Sequence, residues 1–139
     1  MSTRYAYYPG CSASTSGNEY DRSFREICKA LEIELTDVPD WTCCGSHVTY
    51  VFNPNLAAAL SARNLAIVEK MDSSLQLVTT CSGCYQTFKR TNLLLKNDSD
   101  AQEKTKSALE AIQLDYGGDV KVKHCLLYTS DAADEEDSV

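Results

Sequence analysis

The spacing of apolar positions changes several times along the chain, and each change marks an element. Residues 4–8 (RYAYY) form an aromatic-rich, strand-like run that Pro9 and Gly10 interrupt just before Cys11. After the polar loop SASTSGNE, Tyr20, Phe24, Ile27, Cys28 and Leu31 recur at helical spacing, with Asp21, Arg22, Arg25 and Lys29 off that face. The IEL run and Val38 predict a second short strand that ends at Pro39. Asn53 and Pro54 mark a helix start, and Leu56, Leu60, Ile67, Val68 and Met71 supply its apolar face. LQLVTT, residues 75–80, is a continuous strand-like run that stops at Cys81. The pattern is helical again over residues 85–95, is broken by NDSD, and predicts a further helix over residues 101–112. Gly117 and Gly118 turn the chain into a last strand, VKVKH.

Strands that alternate with helices imply an α/β fold, a Rossmann-like three-layer domain with a mostly parallel sheet. Ligands in such sheets bind beyond the carboxyl ends of the strands, which is where Cys11 and Cys81 are expected. Residues 4–124 read as one domain, with no internal repeat and no long linker.

At 139 residues and 43% hydrophobic, the chain can bury a core without disulfide staples. Its start has no leader pattern, and no apolar run approaches bilayer length, so it reads as cytoplasmic with no direct membrane insertion. In that compartment, clustered thiols are more often ligands or catalysts than disulfides. The formal charge of -7 comes mostly from residues 125–139, which hold five of the 20 acidic residues and none of the 13 basic ones. The body is nearly neutral and has no basic stripe, which argues against nucleic acid as a partner. The tail also resembles translated adapter read-through, so residues 125–139 are expected to be a non-native or disordered acidic tail with no part in any site.

The chemistry lies in the cysteines. Five of the seven, Cys11, Cys43, Cys44, Cys81 and Cys84, follow predicted strands and are expected on loops at one edge of the sheet. Cys43 and Cys44 are adjacent, and Cys81 and Cys84 form a C-x-x-C. Disulfides fit poorly, because adjacent cysteines bridge each other badly. A thioredoxin-like site would use CSGC at a helix N-terminus but leaves three thiols unexplained. Structural zinc takes four ligands, often as two C-x-x-C knuckles, whereas here one knuckle has three further thiols beside it. Iron–sulfur ligation fits better, since several irons offer several attachment points. The side chains of Cys43 and Cys44 diverge, which suits two different irons in an opened cluster. Gly45 would let the backbone turn tightly against it.

YYPGCS, DWTCCGS, LSARNLAIVEK and TTCSGCYQTFK together resemble the cysteine-rich CCG domain, in the form found in the B-type subunit of CoB/CoM heterodisulfide reductase and its homologues. The resemblance runs from Tyr5 to His124. It implies a non-cubane [4Fe-4S] cluster on Cys11, Cys43, Cys44, Cys81 and Cys84. It also implies electron delivery from a ferredoxin-like partner of the C type and a flavoprotein partner of the A type, with reduction of a small thiol disulfide. Members of this kind carry two CCG repeats, and only the first is present here, so the chain reads as an N-terminal fragment, inactive alone. CCG domains also occur in electron-relay subunits of succinate, glycolate and lactate dehydrogenase systems, which gives an alternative, and a zinc-stapled interaction module is a second.

Other residues invite a role. His47 is placed to donate a hydrogen bond to a cluster sulfide or substrate thiolate, although a local loop bond explains it equally well. Trp41 and Tyr85 flank the ligands and could shield a cluster, yet core packing explains them too. Cys28 reads as core packing and His124 as structural.

Overall fold

The structure, a computed structural model, describes residues 3–10, 18–45, 48–72, 74–118 and 120–124. Among them, strands β1 (Thr3–Tyr8), β2 (Ile33–Asp37), β3 (Gln76–Thr79) and β4 (Val122–His124) form one parallel sheet in the order β2-β1-β3-β4. The helices are α1 (Asn18–Ala30), α2 (Val48–Phe52), α3 (Pro54–Met71), α4 (Ser82–Asn97) and α5 (Ser99–Glu110). The expected α/β fold with a parallel sheet is present.

Alternation along β1 builds two cores at once, because successive side chains point to opposite faces. Tyr5 and Tyr7 face α1 and pack with Phe24, Cys28 and Val78. Ala6 and Tyr8 face the other layer, with Leu65 and Val68 of α3 and Phe88 of α4. On the α1 side the Tyr7 hydroxyl donates to Asp21, and burial followed by that bond raises its pKa far above the usual tyrosine range.

Connectivity decides where a ligand can sit. The chain leaves β1 toward β2 at one edge and leaves β3 toward β4 at the other. The crevice between the carboxyl ends of β1 and β3 is therefore the switch point of the sheet, the place where such folds bind ligands. Tyr8 pairs with Thr79, so the exits of these two strands lie side by side.

Helix starts follow their caps. Asn53 caps α3 by accepting from the Leu56 N–H, with Pro54 in the first turn. Asp98 closes α4 and caps α5. Three expectations change. On α1 only Phe24 and Cys28 are buried, while Tyr20, Ile27 and Leu31 are exposed, because α1 is the only described helix on its side of the sheet. The buried face of α3 runs through Ala57, Ala58, Ser61, Ala62, Asn64, Leu65 and Val68, leaving Leu56 exposed and Leu60, Ile67 and Met71 at the edge. Helix α4 begins at Ser82, not near Tyr85, so Cys84 lies in a helical first turn and not on a loop.

Candidate metal centre

The double-cysteine segment is held almost entirely by α3. Beyond β2, Asp40 adopts a left-handed backbone (φ 51°), which short polar side chains tolerate better than most. Arg63 fixes it there, donating to the Asp40 carbonyl at 2.8 Å and to Oδ2 at 2.9 Å. Thr42 is bound on both sides of its backbone: its N–H donates to Asn64 Oδ1 at 2.9 Å, and Asn64 Nδ2 donates to its carbonyl at 2.9 Å. The Tyr8 hydroxyl donates to the same carbonyl. Ser61 Oγ donates to the Cys44 carbonyl. Gly45 then takes φ 85° with its α-carbon against α3, where a Cβ would lie 2.9 Å from the Ala57 backbone. Ala57, Ser61 and Asn64, at i, i+4 and i+7, make one helical face devoted to this loop.

The second segment holds itself. Cys81 is the N-cap of α4, in extended conformation, and its Sγ accepts from the Cys84 N–H at 3.5 Å. Cys84 projects from the first turn into the core beside Tyr8 and Phe88. Tyr8 stacks edge-on between Trp41 and Phe88, with centroids 5.4 and 5.0 Å away. The amino end of a 16-residue helix carries partial positive charge and favours anionic donors there.

The two segments meet at sulfur. Cys44 Sγ donates to Cys84 Sγ at 3.2 Å, and both cysteines are free of disulfides and buried. That bond, and then burial, hold the Cys84 thiol far above the usual cysteine range, so without metal it stays protonated. Cys81 is half-buried and Cys43 is exposed, its sulfur 3.5 Å from the Gly45 N–H. Gly10, with φ 77°, packs on the same group, since a Cβ there would be 3.4 Å from Cys84 Sγ. Cys11 and His47 lie outside the described residues. Cys28 belongs to the α1-side core, across the sheet from the other thiols. Trp41 and Tyr85 pack against the core that contains Cys44 and Cys84, and Tyr85 meets the His124 ring at 6.0 Å.

The donor set suits an iron–sulfur group. Thiols from two segments gather at a helix terminus, behind an apolar wall of Tyr8, Trp41 and Phe88. Thr42 Oγ1, next to Cys43, is a buried hydroxyl without a hydrogen-bond partner among the described residues, a donor for an added acceptor such as sulfide. Among the described residues, no three Cys, His, Asp or Glu side chains converge on a single-ion position. A group of several irons does not ask for that, because its thiolates attach at separate metal atoms.

Comparison with known proteins agrees with the geometry. The model of the CCG family, described as a cysteine-rich domain, matches residues 5–89. The chain belongs to the CCG family. This CCG chain is 32% identical over 126 residues to the 8-methylmenaquinol:fumarate reductase membrane anchor subunit of Wolinella succinogenes, covering 91% of the chain and 43% of that protein. It is 27% identical over 124 residues to the B-type subunit of the ferredoxin/F(420)H(2)-dependent CoB-CoM heterodisulfide reductase of Methanosarcina acetivorans, covering 88% and 41%. A protein of Archaeoglobus profundus, named as like the B-type subunit of heterodisulfide reductase, is 29% identical over 122 residues, covering 87% and 40%. The chain thus spans about two fifths of the length of these relatives. A crystal structure of a hypothetical protein from Helicobacter pylori shares the fold with a TM-score of 0.79 at 16% identity, over 93% of this chain and 25% of that one.

The residues that sequence reading missed are those that hold the double cysteine: Tyr8, Ser61, Arg63 and Asn64. One signal was present, since Ser61 and Asn64 fall in helical line with Ala57 inside a buried helix, where a polar residue needs a partner.

Proposed function

We propose that this CCG chain binds a non-cubane [4Fe-4S] cluster through Cys11, Cys43, Cys44, Cys81 and Cys84, and transfers electrons within a reductase of the heterodisulfide type. The observation that carries the reading is the meeting of Cys44 and Cys84, from segments far apart in sequence, at the switch point of the sheet. A bound iron–sulfur cluster supplies one-electron redox chemistry. The chain supplies thiolates, a helix terminus that favours their charge, and the aromatic wall that keeps water away. The proton on Cys84 must leave before that sulfur can serve as a ligand, so loading the site releases protons. Gly45 lets the backbone close on α3, and His47 is assigned a hydrogen bond toward the bound group.

Residues 4–124 are taken as the working domain and 125–139 as a tail outside the site. The partners proposed are a ferredoxin-like protein of the C type, a flavoprotein of the A type and a small disulfide of the CoM-S-S-CoB kind. Anaerobic reconstitution of the chain with iron and sulfide tests the reading. Uptake of both, with a paramagnetic signal in one oxidation state, supports it, and a preparation that takes up zinc alone sinks it.

One observation favours a second reading. The relative at 32% identity is named as a fumarate reductase membrane anchor subunit, which suits an electron relay to or from a quinone. No helix among the described residues is long and apolar enough to cross a membrane. Because one CCG repeat is expected to be inactive alone, the two readings are separated in a reconstituted protein that carries both repeats: reoxidation by a small disulfide but not by a quinone favours the first, and the reverse favours the second.

A further inference from the structure

Ser61 and Asn64 are fully buried polar side chains on an otherwise apolar helical face, a costly arrangement unless each polar group is bonded. Their bonds have a common destination. Asn64 takes both the N–H and the carbonyl of Thr42, and Ser61 takes the carbonyl of Cys44. Asn64 makes one further, longer bond, to the Leu60 carbonyl at 3.3 Å. The anchored peptide groups lie on either side of Cys43. That matters because adjacent side chains on an extended segment project to opposite sides, and the rotation of the main chain alone decides which side each takes. Here Cys44 is 2% exposed and touches Cys84, whereas Cys43 faces solvent.

We infer that Ser61 and Asn64 are positioning residues that set this division in advance, turning Cys44 inward against Cys84 and Cys43 outward while no metal is present. The role given to them deepens the cluster reading above and rests on it for its purpose. The division of the two thiols is nevertheless a property of the metal-free chain and can be tested there. Loss of Asn64 strips Thr42 of two of its three described bonds, leaving the Tyr8 hydroxyl on its carbonyl, and loosens the segment ahead of Cys43. Loss of Ser61 releases the Cys44 carbonyl without opening a large cavity.

The test is alkylation of the metal-free full chain with iodoacetamide, followed by peptide mass spectrometry of each cysteine. In the unaltered chain Cys43 is expected to label fast, and Cys28, Cys44 and Cys84 slowly. In Asn64→Ala, labelling of Cys44 is expected to speed up by about tenfold or more while Cys28, in the other core, keeps its protection. Ser61→Ala is expected to give a smaller rise of the same pattern, and it decides the matter should Asn64→Ala fail to fold. Unchanged protection of Cys44 in Ser61→Ala and in a folded Asn64→Ala overturns the inference. So does an equal rise at Cys28, since the two residues would then only stabilise the fold as a whole. Failure of the unaltered chain to take up iron and sulfide would end the cluster reading and leave this labelling pattern as it stands.

Discussion

The two cysteine-bearing segments meet at one pair of sulfurs but are built in opposite ways. The CSGC turn is self-contained: Cys81 caps the helix that carries Cys84, and the geometry follows from four consecutive residues. The double-cysteine segment has no helix of its own around its thiols, and its shape is imposed from α3 by Ala57, Ser61, Arg63 and Asn64, and from β1 by Tyr8. One half of the site is thus local and robust, and the other depends on packing at a distance. Substitutions outside the cysteines should therefore hurt the second half far more than the first.

The largest expected effect is at Gly45. A Cβ there meets the Ala57 backbone at 2.9 Å and the backbone is left-handed, so both strain and overpacking apply. Gly45→Ala is expected to destabilise the metal-free chain by about 2–5 kcal/mol in urea denaturation. Gly10→Ala is the control, because its Cβ has ordinary contact at 3.4 Å and only the left-handed backbone counts against it, for about 1–2 kcal/mol. Equal losses at the two glycines would show that the close contact of Gly45 with α3 adds nothing beyond its left-handed backbone.

Serine in place of single cysteines sharpens the contrast. Cys81→Ser puts a favoured N-cap residue where the sulfur now caps, so the stability of the metal-free chain is expected to hold or rise slightly. Cys44→Ser puts a hydroxyl into a buried apolar contact and is expected to cost about 1–3 kcal/mol. Both are expected to impair iron uptake, which separates ligation from folding. Next in size is Thr42→Val, which removes a buried hydroxyl with no partner among the described residues and is expected to stabilise the metal-free chain by about 1 kcal/mol in the same urea titration.

This division also explains how much was legible in the sequence. The strands and their place in a parallel sheet could be read because each run is made of neighbouring residues: the aromatic RYAYY and the continuous LQLVTT. Helix α4 starts a few residues before its apolar spacing does, because its cap is a cysteine, which is not among the usual N-cap residues. The face of α3 differs from its large apolar spacing because most of the buried stripe there is made of alanine, serine and asparagine, with Leu65 and Val68. Those small and polar residues are inside because the double-cysteine loop lies on them, a contact across 20 or so residues of chain that periodicity does not record. The exposed stripe on α1 has a similar origin, since an apolar spacing shows that a face could be buried but not that a neighbour exists to bury it.

The smallest expected effect lies beside the site, at the end of β4. His124 is buried against Tyr85, and burial lowers its pKa below the ordinary histidine value of 6.5. The unfolded chain therefore takes up a proton at a higher pH than the folded one. The stability associated with neutral His124 is fully present above pH 6.5 and is lost as pH falls below that value toward the folded pKa. Urea midpoints from pH 7.5 down to about 5 should show the decline, and His124→Gln should flatten it.

The most direct measurement is the iron and acid-labile sulfide content of the anaerobically reconstituted chain, compared across Cys→Ser variants at positions 11, 28, 43, 44, 81 and 84. The expected result is about four irons and four sulfides per chain, impaired by each change except Cys28→Ser. A chain that instead holds one zinc, with Cys11→Ser leaving it in place, would contradict the five-thiolate site.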